Sequence, residues 1–333
     1  MSRTFNVALI GSADTITETL VELLDERNFP IDQLYLLALG EALGQSLAFR
    51  GRQLRFRALD NFDFAQVQLA FVADELPQSC RTRALAAGCS LIDMTAGLPL
   101  DQAPCVVPEL TTVAPGESAP FLLSTPTPSA VACALVMAAL SPQLKVRRVQ
   151  LTAMLSVSTL GREGVQELAR QTAELLNARP LEPRLVDRQL AFNVLARTGE
   201  ADEQGHTLLE QRLTSELRQL LQLPELPISV TCALAPVFFG DSLSLSLQCD
   251  EEVGVAVVQR LLEAAPGLEL VEVGDYPTAV GDAVGQDQVY VGRVRAGVCD
   301  LRQLNLWIVS DNVRKGTALN ALQIAELLIK HYL

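Results

Sequence analysis

The sequence predicts an α/β region built on a doubly wound parallel sheet, followed by a second region of α+β character. Three observations carry this. Apolar, strand-like runs alternate with helical spacings over the first hundred residues. A hydrophobic run at 122–124 ends in a Pro-rich turn, Thr125-Pro126-Thr127-Pro128-Ser129, that feeds a small-residue helix at 130–140. After residue 149 the texture changes to longer alternating strands with helices between them.

In chain order, residues 5–10 read as a buried strand ending in Gly11-Ser12-Ala13-Asp14-Thr15-Ile16-Thr17. Leu20, Leu23 and Leu24 give 17–26 a helical spacing. Residues 34–38, 69–73 and 91–93 are further strands, with a helix at 77–87 and another short strand at 106–109. This β-α-β order is that of a Rossmann-type dinucleotide-binding domain. Asp14 is suited to cap the first helix, and Ser129 to cap the helix at 130–140. Cys133, well inside that helix, reads as a small core residue. Beyond it, 149–155, 228–234, 242–248, 289–294 and 304–309 read as strands, expected to pair antiparallel and to leave one sheet face for an interface. Residues 162–178, 208–221 and 317–331 read as helices, the second with a solvated Glu/Gln/Arg face. Residues 199–205 and 274–288 are loop-rich.

Composition bounds the function. The 333 residues suffice for two domains with buried cores. With 49% hydrophobic and 20% charged residues, the chain is globular rather than disordered. A net charge of −13 argues against nucleic-acid or anionic-membrane partners. No apolar run approaches the roughly 18–20 residues that span a bilayer. Met1-Ser2-Arg3-Thr4-Phe5 leads straight into a strand with no signal-peptide pattern, so a cytoplasmic location is expected. Seven scattered cysteines fit buried thiols in a reducing compartment. With two histidines and no Cys-x-x-Cys, no metal site is expected, and His206 and His331 both read as surface residues.

Four blocks carry a family resemblance. Residues 310–325 read Ser310-Asp311-Asn312-Val313-Arg314-Lys315-Gly316-Thr317-Ala318-Leu319-Asn320-Ala321-Leu322-Gln323-Ile324-Ala325, and Val107-Pro108-Glu109, Phe192-Asn193-Val194 and Val291-Gly292-Arg293-Val294-Arg295 precede them. Together, in this order over most of the chain, they resemble the aspartate-semialdehyde dehydrogenases, and most closely the Usg subgroup, paralogues that lack the catalytic residues. The resemblance implies a dinucleotide-binding domain at 1–127 plus 312–333, a catalytic-like dimerisation domain at 128–311, a homodimer, and a role in amino-acid biosynthesis.

The family reaction is acyl transfer through a thioester, needing a thiolate, an orienting amide, a carboxylate-binding arginine and a base. By alignment with the family's motifs, Pro128 stands at the thiolate, Leu155 at the catalytic Gln, Leu234 at the arginine and Asp241 at the histidine base. None can perform the family role, and an acidic Asp241 facing the site would repel an anionic substrate. The cofactor fingerprint is degenerate too. Its glycines become Gly11, Asp14 and Thr17, and Asp14 places a negative charge where pyrophosphate would sit. The family's Ser-Arg-Ser segment has become Leu39-Gly40-Glu41-Ala42, so any surviving site would prefer NAD to NADP. A phosphate-binding arginine near Asp93 has also gone, with Thr95-Ala96-Gly97-Leu98-Pro99 in its segment. Ala73, Gly161, Asn312, Lys315, Gly316 and Gln323 complete the family's cofactor positions as the resemblance implies them; alternatively, the matching residues of the last block cap the final helix and pin it to the first domain. Three functions follow: a non-catalytic dimeric binding or regulatory protein, a weak NAD-dependent oxidoreductase acting on an aldehyde or oxo group, or a structural partner of the active paralogue.

Overall fold

A computed structural model describes residues 3–111 and 119–333. Met1 and Ser2, where the predicted run into the first strand begins, lie outside them. The chain divides into two units, Met1–Pro126 with Thr317–Leu333, and Thr127–Gly316.

The first unit is a six-stranded parallel sheet in the order β5-β2-β1-β6-β7-β8, formed by Phe5–Ile10 (β1), Ile31–Ala38 (β2), Arg57–Ala58 (β5), Leu69–Val72 (β6), Ser90–Asp93 (β7) and Leu122–Ser124 (β8). A small antiparallel hairpin, Ser46–Phe49 (β3) and Arg52–Arg55 (β4), stands beside it in the chain. Strand side chains alternate between faces, so both faces of a parallel sheet must be covered. Phe5, Val7 and Leu9 join a core with Leu20, Leu23 and Leu24 of α1 (Thr15–Glu26) and Leu322, Ile324 and Leu328 of α7 (Asn320–His331). Ala8 and Ile10 join Cys80 and Ala84 of α2 (Gln78–Ala86) on the opposite face. The strand order reverses between β1 and β6, the place where doubly wound sheets open a crevice.

The second unit holds Pro128–Leu140 (α3), Val146–Leu155 (β9), Gly161–Leu176 (α4), Leu208–Leu220 (α5), Ile228–Leu234 (β10), Asp241–Cys249 (β11), Val255–Glu263 (α6), Leu268–Leu270 (β12), Val289–Ala296 (β13) and Gln303–Ser310 (β14). Its sheet runs β10-β9-β11-β14-β13-β12. The expected antiparallel pairing holds only at its centre: β9 pairs with β10, and β12 with β13, in parallel. Those crossovers run through helices α4–α5 and the loop-rich stretch before β13, connections long enough to return a strand in the same direction. Leu151, Ala153, Leu243, Leu245, Leu306 and Ile308 form the buried face, while Gln150, Thr152 and Ser244 on the other are exposed. Helix α3 is buried almost all round, which its run of alanines and small apolar residues permits.

Two further expectations change. Residues 106–109 are not a strand; Cys105 makes a single bridge to Ser124, and the ladder stops there because Pro126, the next donor in register, has no N–H and the Val106 carbonyl accepts from Asn320 instead. The final helix opens with a π-helical turn, Arg314–Leu319, before α7 begins.

Candidate functional site

In the first unit, Gly11 follows β1 at the sheet reversal, and its N–H donates to Leu37 O at 2.9 Å. A Cβ placed on Gly11 would lie 3.2 Å from the Ala73 Cβ and 3.5 Å from Thr17 Cγ2. Asp14 is the N-cap of α1: its Oδ1 accepts from the Thr17 N–H at 2.9 Å, and Thr17 Oγ1 accepts from the Asp14 N–H at 3.1 Å. Burial holds the Asp14 carboxyl above its ordinary pKa, against the lowering effect of the hydrogen bonds from Thr17 and Ile16. The Ala13 N–H donates to Gln45 Oε1 at 2.8 Å. Glu41 sits exposed in a short 3₁₀ turn after β2.

A cleft of about 700 Å³ opens at the carboxyl ends of β6 and β7, with Leu122 at the start of β8 also in its wall. Ala73, Asp74, Glu75, Arg81, Asp93 and Thr95 contribute to its walls. Asp93 is buried, and its Oδ1 accepts from the Thr95 N–H at 3.0 Å and hydroxyl at 2.6 Å. Within the same unit, Gln323 donates to Glu109 at 2.9 Å and Asn320 to the Val106 carbonyl at 2.9 Å, fixing α7 to the segment after β7.

In the second unit, Pro128, expected from the resemblance at the nucleophile position, begins α3. Thr127 is the N-cap and Pro128 the first helical residue, so the expectation that Ser129 caps this helix is corrected. Proline suits the first turn because its missing N–H would have no intrahelical partner there. Thr127 does not cap with its own oxygen. Its N–H and Oγ1 both donate to Glu216 Oε2, at 2.9 and 2.6 Å, and Arg212 Nε donates to Glu216 Oε1 at 2.6 Å. Glu216 is fully buried, which corrects the solvated reading of its helix face and raises its pKa. The Arg212–Glu216 spacing of four residues along α5 is the sequence signal that could have revealed this pair. Pro128 also lies against Gly316, where an added Cβ would come within 2.4 Å of the Pro128 Cβ. Cys133 is fully buried in the middle of α3, where burial pushes its thiol up to about 12.

Leu155 and Leu234 end β9 and β10 and are both buried. Asp241 starts β11 and is only 1% exposed, so it does not face outward as an open acid, correcting that expectation. Its Oδ1 accepts from the Ser156 N–H at 3.0 Å and hydroxyl at 3.2 Å. Burial, with a smaller contribution from the nearby charge of Asp311, raises its pKa to about 7, overcoming those two hydrogen bonds. Asn312 extends the network: it donates to Ser158 Oγ at 2.9 Å and accepts from the Gly240 N–H at 3.0 Å. Asp311 accepts from the Val313 and Arg314 N–H groups at 2.9 and 2.8 Å, capping the turn that leads to α7. Lys315 is buried, and Gly161 opens α4 at φ +71°, a conformation that suits glycine. Phe192 and Asn193 are exposed, with the Asn193 amide bonded locally to Gln189 O at 3.0 Å; His206 and His331 are exposed too.

Among the described residues, no group of three or more His, Cys, Asp or Glu is arranged to hold a metal, and no helix is long and apolar enough to cross a membrane.

Residues 6–115 match the family model described as semialdehyde dehydrogenase, NAD binding domain, and residues 137–315 match the semialdehyde dehydrogenase, dimerisation domain. A USG-1 protein homolog of Azotobacter vinelandii is 54% identical, with 99% of each chain covered. A solved structure of a probable aspartate-semialdehyde dehydrogenase from Pseudomonas aeruginosa aligns with TM-score 0.94 at 54% identity, covering 99% of this chain and 100% of that one. The structure of aspartate semialdehyde dehydrogenase II from Vibrio cholerae, complexed with ASA, gives TM-score 0.94 at 34% identity with 100% of both chains covered. With both of its units matched and enzymes of the family aligned end to end, this chain belongs to the aspartate-semialdehyde dehydrogenase family.

Proposed function

We propose that this chain keeps the family scaffold without the family's acyl-transfer chemistry, and acts as a dimeric binding or regulatory protein of the cytoplasm. The observation that carries the reading is Pro128, a residue with no reactive atom at the thiolate position, seated against Gly316. Without a sulfur or oxygen nucleophile there, no acyl intermediate forms. The nearest thiol in sequence, Cys133, supports the reading because a buried thiol with a pKa near 12 carries almost no thiolate at neutral pH. Leu155 and Leu234 offer no donor or acceptor side chain, and Asp241 is engaged by Ser156 rather than available as a base. The match of residues 137–315 to a dimerisation domain supports the homodimer.

The test is intact-protein mass spectrometry after incubation with aspartate semialdehyde and NAD or NADP, without phosphate so that any acyl intermediate accumulates. The expected spectrum is that of the unmodified chain. A covalent acyl adduct on any residue of the second unit would overturn the proposal.

A further inference from the structure

We propose that the first unit has turned its phosphate cradle inward, so that it excludes NAD and NADP rather than binding them weakly. The inference deepens the non-catalytic reading and rests on it for the place of the cradle in the fold. A dinucleotide pyrophosphate needs free N–H groups at a helix N-terminus, a glycine-lined approach and a positive local field. In this unit three of the turn's backbone donors are bonded internally. The Ala13 N–H is taken by Gln45 Oε1 at 2.8 Å, and the Thr17 N–H by Asp14 Oδ1 at 2.9 Å. The Asp14 N–H is shared between Ser12 O at 3.0 Å and Thr17 Oγ1 at 3.1 Å. Thr17 Oγ1 in turn donates to Ser12 O at 2.6 Å, which closes the turn on itself.

The relative sizes of these effects decide which residue matters most. Gln45 is an exposed neutral acceptor, and displacing one such hydrogen bond costs about tenfold in affinity at most. That alone does not exclude a cofactor. Asp14 sets a carboxylate at the positive end of α1, in the place of the phosphate charge that the helix dipole would otherwise favour. The adjoining cleft adds Asp74, Glu75 and Asp93 against Arg81, the one cation among its described walls. An acidic approach to a self-bonded turn opposes a pyrophosphate at every step, and Asp14 is the dominant element.

The experiment is a calorimetric titration of the full chain with NAD and then NADP at low salt. It compares the wild type, Asp14→Asn combined with Gln45→Ala, and Asp14→Gly combined with Thr17→Gly and Gln45→Ala. Asparagine keeps the cap while removing the charge, so the double variant remains folded, and circular dichroism checks each variant. The wild type is expected to give no saturable heat up to about 1 mM of either nucleotide. The double variant is expected to gain at least about tenfold, and the triple variant to bind in the measurable range. Saturable wild-type binding below about 1 mM overturns the inference. Silence from folded variants overturns the assignment of these residues as the block. Wild-type nucleotide binding without an acyl adduct would sink this inference alone, whereas an adduct would sink the non-catalytic reading itself.

Discussion

Asp241 shows how a single replacement changes character through its surroundings. A carboxylate beside an anion site would repel substrate, but this one is buried on β11 and held by Ser156, with its pKa raised from 3.8 to about 7. The linkage sign follows from that direction. A carboxyl whose folded pKa lies above its unfolded value favours the folded state below about pH 4, and that contribution is lost as pH rises toward 7. Asn at this position keeps the acceptor for Ser156 and removes the titration. Asp241→Asn should therefore gain stability relative to the wild type between about pH 4 and 7, on the order of a few kcal/mol. Denaturant melts across that range measure the difference, and parallel curves for the two proteins would contradict it. This behaviour was not legible in the sequence, because alignment places Asp241 at the base position but says nothing of its burial.

At the scale of elements, β1, β6 and β7 of the first unit were readable because they are buried along nearly their whole length, and α1 because Leu20, Leu23 and Leu24 give it one apolar stripe. The Asp14–Thr17 box was readable for the same local reason, since a cap is a contact between near neighbours in sequence. The β3–β4 hairpin was missed: its two turn residues, Arg50 and Gly51, both have positive φ, where a pattern search looks for Asn-Gly. Arg50 tolerates the turn while its guanidinium donates to the Phe29 and Ile31 carbonyls. The Glu216 anchor of α3 was missed because its partner Thr127 lies 89 residues away, beyond any periodicity. The start of α3 and the π-turn Arg314–Leu319 meet at Pro128 and Gly316, and there the packing leaves no room. Gly316→Ala would place a Cβ 2.4 Å from the Pro128 Cβ and 2.8 Å from its Cα, neither of which can move like a flexible side chain. The expected cost is about 1–3 kcal/mol, read as a lowered calorimetric midpoint. A midpoint equal to that of the wild type would show that the π-turn yields instead.

At the scale of the whole molecule, both units carry family matches, and the fold aligns with the Vibrio cholerae enzyme at TM-score 0.94. Two thirds of the aligned positions nonetheless differ, at 34% identity, while the fold is kept. Fold and chemistry are separable in this way because the core depends on apolar periodicity, whereas the reaction depends on a few groups that packing does not require. The central claim is that this scaffold no longer performs the family reaction. Its most direct test is nicotinamide reduction with aspartate semialdehyde and phosphate, using protein purified from a host that lacks its own enzyme. The account predicts no rate above that of a protein-free control with either NAD or NADP. A robust rate that depends on phosphate and scales with protein concentration would contradict it.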